Sequence, residues 1–151
     1  MKIIIGCDNA AVGLKNEIIS FLETKDCEIV NVGCDTKEDP TYYPEIAKRV
    51  CEKVQESNYE ARGILICGTG LGMSMTANKF KGIRAALCHD CFSAERAVLS
   101  NDANVLCLGE RVIGYELAKK IVDTWLPLKF KDGRSTAKVA LMNKIDSDNL
   151  K

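Results

Sequence analysis

Cys67 closes a short apolar run and opens directly onto a glycine-dense turn, in the stretch GILICGTGLGMSMTANK (63–79). A thiol at a strand end, just before a helix N-terminus, is a competent base or nucleophile. Gly68, Gly70 and Gly72 let a ligand approach the chain closely, and a helix starting near Leu71 would aim free backbone N–H groups at it. Two plainer readings stand beside this one: Cys67 as core packing, and the glycines as an ordinary strand-to-helix turn. A dinucleotide fingerprint fits less well. The spacing is G-x-G-x-G, with Met73 where the third glycine belongs, although Asp90 lies about 20 residues on, as that fingerprint asks. A Walker loop is excluded because no Gly-Lys-Ser/Thr follows.

The other cysteines, at 7, 27, 34, 51, 88, 91 and 107, are scattered, several of them inside apolar runs. There a free cysteine behaves as a small hydrophobe. Only Cys88 and Cys91 have C-x-x-C spacing, and a zinc site there would need distant ligands. Most of these thiols read as packing in a reducing cytosol, and no metal or cofactor is implied.

Five apolar, β-rich runs must carry this chemistry: 2–6, 28–33, 63–68, 83–89 and 103–109. Each is nearly continuously hydrophobic, as expected of strands buried on both faces of a parallel sheet. Between them lie helical stripes. Ala10, Leu14, Ile18 and Leu22 form one, with Lys15, Glu17 and Lys25 off that face. Ile46, Val50 and Val54 form another after Pro44, and Leu117, Ile121 and Trp125 a third after Gly114. The alternation predicts an open α/β sheet with helices on both faces. After a glycine turn, a last helix is expected from Ser135 as N-cap, with residues 146–151 frayed. Ligands of such sheets sit beyond the C-terminal strand ends. That selects Cys7-Asp8-Asn9, Cys67 to Gly72, His89-Asp90 and Gly109-Glu110-Arg111.

The chain has 151 residues, long enough for one ordinary domain spanning 1–151. Acidic and basic residues balance at 21 each, so no field of one sign exists to attract nucleic acid or an anionic membrane. The opening MKIIIGCDNA is too short in apolar residues for a signal peptide, and a cytoplasmic location is expected.

GILICGTGLGMSMTANK, GIRAALCHD, NDANVLCLGERVIG and AKKIVDTW together resemble the ribose-5-phosphate isomerase B family, which includes the galactose-6-phosphate isomerase subunits. The match runs from IIIGCDNA to DGRSTAKV, nearly the whole chain. The resemblance implies a Rossmann-like three-layer α/β/α fold with a five-stranded parallel sheet. It also implies a homodimer with active sites across the subunit interface, and metal-free interconversion of an aldose phosphate with its ketose phosphate. Such a reaction, through an enediolate, needs a base beside the carbonyl, donors for the oxyanion and cations for the phosphate. By resemblance Cys67 is the base, and the N–H groups of Gly68, Gly70, Leu71 and Gly72, with Asn101, hold the oxyanion. Thr69 contacts sugar hydroxyls or assists ring opening, and Asp8 binds hydroxyls. Arg111, Arg134 and Lys138 hold the phosphate, and Asn9 and Tyr43 complete the substrate-binding set. Each has an ordinary alternative: surface charges for Arg111 and Lys138, a cap for Asp8, a turn residue for Asn101.

The sequence departs from the family pattern at several of these positions. Asn9 stands where the family usually has histidine after the first strand, and Tyr42 where it has aspartate before tyrosine-proline. Ser135 and Lys138 replace a histidine and a second arginine. Most consequential is Ser100, which takes the place of the histidine that opens the sugar ring and is carried into the catalytic set by position. A serine hydroxyl lacks the near-neutral pKa that makes histidine an effective acid. The sole histidine, His89, is the one candidate replacement. Three functions follow: an isomerase of phosphorylated pentoses or hexoses with an altered substrate, one subunit of a heteromeric isomerase, or a catalytically weak sugar-phosphate-binding protein.

Overall fold

The computed structural model describes residues 1–150. In chain order the elements are β1 (Lys2–Cys7), α1 (Val12–Glu23), β2 (Glu28–Asn31), α2 (Tyr43–Glu56), β3 (Arg62–Cys67) and α3 (Leu71–Ala77). Then follow β4 (Ala85–Leu87), α4 (Cys91–Leu99), β5 (Val105–Gly109), α5 (Tyr115–Trp125) and α6 (Thr136–Asn149). The strands form one wholly parallel sheet in the order β2-β1-β3-β5-β4. On one side α2 packs against α3; on the other α5 lies between α1 and α4. This is the expected Rossmann-like α/β/α arrangement.

The central strands are apolar because both their faces are covered: Ile3 to Ile5, Ile64 to Ile66 and Val105 to Leu108 are fully buried. The chain leaves β1 for β2 on one side and returns past β1 to β3 on the other, so the order reverses between β1 and β3. The crevice beyond their C-terminal ends is where open α/β sheets take their ligands. In-register pairing sets Cys7 beside Ile66 and Cys67 beside Gly109 at that edge.

Four local readings need correction. Lys15, expected on the solvated face of α1, is completely buried. Its ammonium donates to the Cys34 carbonyl and to Asp35 Oδ1, 2.5 Å each. The long side chain thus crosses the gap between α1 and the loop after β2. On α5, Leu117 points outward, and the helix instead buries Ala118, Ile121, Val122 and Trp125 between its helical neighbours. Ser135 stands at the α6 N-cap position but makes no capping bond; its backbone is already helical, and Thr136 Oγ1 accepts from Gly133 N–H instead. Residues 146–149 continue α6 rather than fraying: Asp146 accepts from Gly82 N–H at 2.8 Å and Asp148 pairs with Lys144. Residue 151 lies outside the described residues.

Candidate active site

The predicted site residues fall into two groups at opposite edges of the sheet. The first surrounds Cys67, which is 5% exposed, with the N–H of Gly70 directed at its sulfur at 3.1 Å. Gly70 adopts φ +76°, a left-handed conformation that favours glycine, and a side chain there would meet the Leu108 carbonyl at 2.9 Å. The reversal at Gly70 is what turns its amide back onto the thiol. The Tyr43 ring lies so close to Gly72 that a Cβ there would clash with its Cε1 and Cζ, so this tyrosine from the start of α2 packs on the turn. Thr69 and Leu71 are exposed on the turn, and Thr69 Oγ1 accepts from Leu71 N–H.

Asp8 follows β1 and accepts from Ala10 N–H at 3.1 Å. Burial pushes its carboxyl above the usual range, while the Ala10 amide and the Arg111 charge pull it back. Arg111 itself packs on Gly68, where a Cβ would lie 3.3 Å from its Nη1. Asn9 is exposed beside Asp8. The carboxyl ends of the strands therefore carry a thiol, a carboxylate and a guanidinium around one glycine turn, with a tyrosine ring against it.

The second group lines a separate cavity of about 470 Å³ between the end of α4 and the start of α6. Ser100, Asn101, Arg134, Ser135 and Lys138 are there, together with Arg96 and Lys131. None of the Cys67 group lines it. Its wall holds four cations and no carboxylate, which makes it a place for an anion. Arg96 and Lys131 escaped sequence reading because they belong to no motif. The available signal was Arg96 standing four residues before Ser100, one helical turn on the same face.

His89 belongs to neither group. Its Nε2 accepts the Gly109 N–H at 3.1 Å, linking the end of β4 to the end of β5. Burial holds its pKa below 6.5 against the opposing charge of Asp90. The side chain that sequence reading considered as a replacement acid is engaged with the backbone as a neutral acceptor. All eight cysteines are free. Burial pushes the Cys7 and Cys51 thiols up to about 12 and Cys88 to about 11, so these stay protonated as packing groups. Among the described residues no cluster of three or more His, Cys, Asp or Glu side chains is arranged to hold a metal ion, and no helix is long and apolar enough to cross a membrane.

Fold and geometry define an α/β protein of the kind that takes small anionic ligands at the carboxyl edge of its sheet. A family described as Ribose/Galactose Isomerase matches residues 3–142, and the chain belongs to it: it is a sugar-phosphate isomerase by family. It is 50% identical over 149 residues to the ribose-5-P isomerase B of Listeria innocua, covering 99% of each chain. It is 45% identical over 139 residues to the D-erythrulose-4-phosphate isomerase of Pectobacterium atrosepticum, covering 92% of this chain and 91% of the other. Among solved structures, ribose-5-phosphate isomerase B of Clostridium thermocellum superposes with TM-score 0.92 at 44% identity, over 98% of this chain and 99% of that one.

Proposed function

We propose that this chain interconverts an aldose phosphate and its ketose phosphate, with Cys67 as the base and an open-chain sugar as substrate. The observation that carries the reading is the buried Cys67 thiol at the sheet's switch point, its sulfur met by the Gly70 amide, with Asp8 and Arg111 alongside. Cys67 removes the proton from C2 of the aldose and returns it to C1, while a proton moves between O1 and O2. The enediolate formed in between carries its charge on oxygen, where the amides of the glycine turn and Asn101 can donate. Donors placed in this way typically stabilise a transition state by a few kcal/mol. Asp8 and Thr69 bind hydroxyls, and Arg111, Arg134 and Lys138 hold the phosphate.

The separation of these residues into two groups supports a site shared between two copies of the chain. One copy would bring Cys67, Asp8, Tyr43 and Arg111, the other Ser100, Asn101, Arg134 and Lys138. The exposed Leu141, Met142 and Ile145 of α6 offer an apolar surface for that assembly. Eight unpaired thiols agree with work in a reducing cytoplasm.

Ser100 in place of the ring-opening histidine favours a substrate with no ring to open. An aldose of four carbons phosphorylated on O4 cannot close a furanose, because the oxygen that would close it is esterified. Likeness to a D-erythrulose-4-phosphate isomerase supports testing such a substrate beside ribose 5-phosphate, for which the Listeria innocua relative is named. The test is turnover of D-erythrose 4-phosphate and of ribose 5-phosphate by the wild-type protein and by Cys67→Ala. Removing the base should lower kcat by about a hundredfold or more with KM little changed. Turnover that survives the substitution would exclude Cys67 as base; binding without any turnover would leave a sugar-phosphate-binding protein.

A further inference from the structure

Arg96 has no role in that chemistry, yet it lines the cavity of the second group beside Ser100. It projects from α4 one turn before Ser100, and its Nη1 donates to Ser100 Oγ at 3.3 Å. Its Nε lies 3.6 Å from Glu95 Oε2, but that N–H is buried and makes no hydrogen bond. Its side chain lines the cavity of about 470 Å³ with Lys131, Arg134 and Lys138, and also the neighbouring one of about 910 Å³ with Asn101. With Nε buried against Glu95 and Nη1 on Ser100, the outer end of the guanidinium stands at the junction of two cavities, where its Nη donors can meet an acceptor that a ligand supplies.

The bond to Ser100 has a direction. A hydroxyl oxygen that accepts from a cation keeps its own hydrogen free, and that hydrogen becomes a better donor. The pair therefore presents a cation and a polarised hydroxyl to the cavity. Neither member exchanges a proton near neutral pH, since a guanidinium stays charged and a serine hydroxyl is a weak acid. Such a pair can hold an oxygen that bears or develops negative charge, but cannot open a hemiacetal.

Resting on the sugar-phosphate reading, we propose that Arg96 is a specificity-determining residue: with Ser100 it holds an oxygen at the carbonyl end of an open-chain sugar phosphate, while Lys131, Arg134 and Lys138 hold the phosphate end. Arg96 and Ser100 then work as one unit, in which the fixed charge supplies binding and polarisation instead of proton transfer. The substrate it selects presents a free carbonyl.

Titration calorimetry with D-erythronate 4-phosphate, which carries a carboxylate at the carbonyl end and cannot turn over, and with inorganic phosphate separates the two ends without requiring turnover. In Arg96→Met, affinity for erythronate phosphate should fall by about tenfold or more, the worth of a hydrogen bond to a charged group, while inorganic phosphate binds within about twofold of wild type. The kcat/KM for D-erythrose 4-phosphate should fall by the same factor. Equal weakening of both ligands would make Arg96 a phosphate contact only, and no weakening of either would remove it from the site; each result overturns the proposal. Ser100→Ala, which removes the acceptor without creating a cavity, should weaken erythronate phosphate selectively as well, and decides the question in its place if Arg96→Met does not fold. A wild-type protein that turns over no sugar phosphate defeats the isomerase reading, yet the two binding ratios still decide the part played by Arg96.

Discussion

The hydrogen bond from the Gly109 amide to His89 requires a neutral imidazole, and that requirement makes one residue visible in the stability of the whole chain. Burial lowers the folded-state pKa of His89 below its ordinary 6.5. On acidification the unfolded chain therefore takes up this proton first, so the stabilisation is complete above 6.5 and is lost as pH falls through the window just below it. Melting temperature measured across that window should drop in the wild type. In His89→Gln an amide oxygen can accept from Gly109 without titrating, and the drop should flatten; parallel curves would refute the link. Chemistry at this scale was only partly legible. Cys67 announces itself through the glycines that follow it. His89 does not, because its partner is a backbone amide 20 residues away that no side-chain pattern encodes.

At the scale of elements, the strands could be read because burial on both faces writes them as unbroken apolar runs. The helices were read less well. A helical period identifies a stripe, but neighbouring elements decide where the stripe is centred, so α5 buries Ala118 and Val122 and leaves Leu117 outside. Lys15 is the sharper case, since a charged residue off the apolar face is ordinarily solvated. Here its ammonium also comes within 3.4 Å of Asn31 Oδ1, and Asn31 in turn donates to Asp35, closing a polar cluster under the loop after β2. That loop is bound to the end of β1 through the Cys34 amide and the Cys7 carbonyl. Lys15→Met keeps the volume but leaves the Cys34 carbonyl without its cation. It should cost about 2 kcal/mol in denaturant unfolding, less than a wholly buried pair would, because the Asp35 carboxylate can turn to water. A shift within about 0.5 kcal/mol of wild type would show that the cluster adds nothing to stability.

Across the whole molecule, the two groups of site residues lie at opposite edges of the sheet, the Cys67 group beyond the strands' carboxyl ends and the Ser100 group where α4 leads back into β5, a separation that sequence order conceals. Arg111 and Arg134 are both basic residues near a glycine, yet only Arg111 packs on the Cys67 turn, whereas Arg134 opens onto the cavity beside Ser100. If a site takes one group from each of two copies, Cys67→Ala and Arg134→Met damage different contributions to it. Each variant alone should be nearly inactive. Mixed in equal amounts and allowed to exchange subunits, half of the dimers become hybrids, each with one doubly damaged site and one intact site. Activity should then return to about one quarter of the wild-type value. Were the site built within one chain, every hybrid site would carry one of the two lesions, and mixing would restore nothing. Recovery in this assay, followed on D-erythrose 4-phosphate, would thus show that two copies of this chain complete each other. A wild-type protein inactive alone but active with a histidine-bearing paralogue would instead assign the second group to that partner.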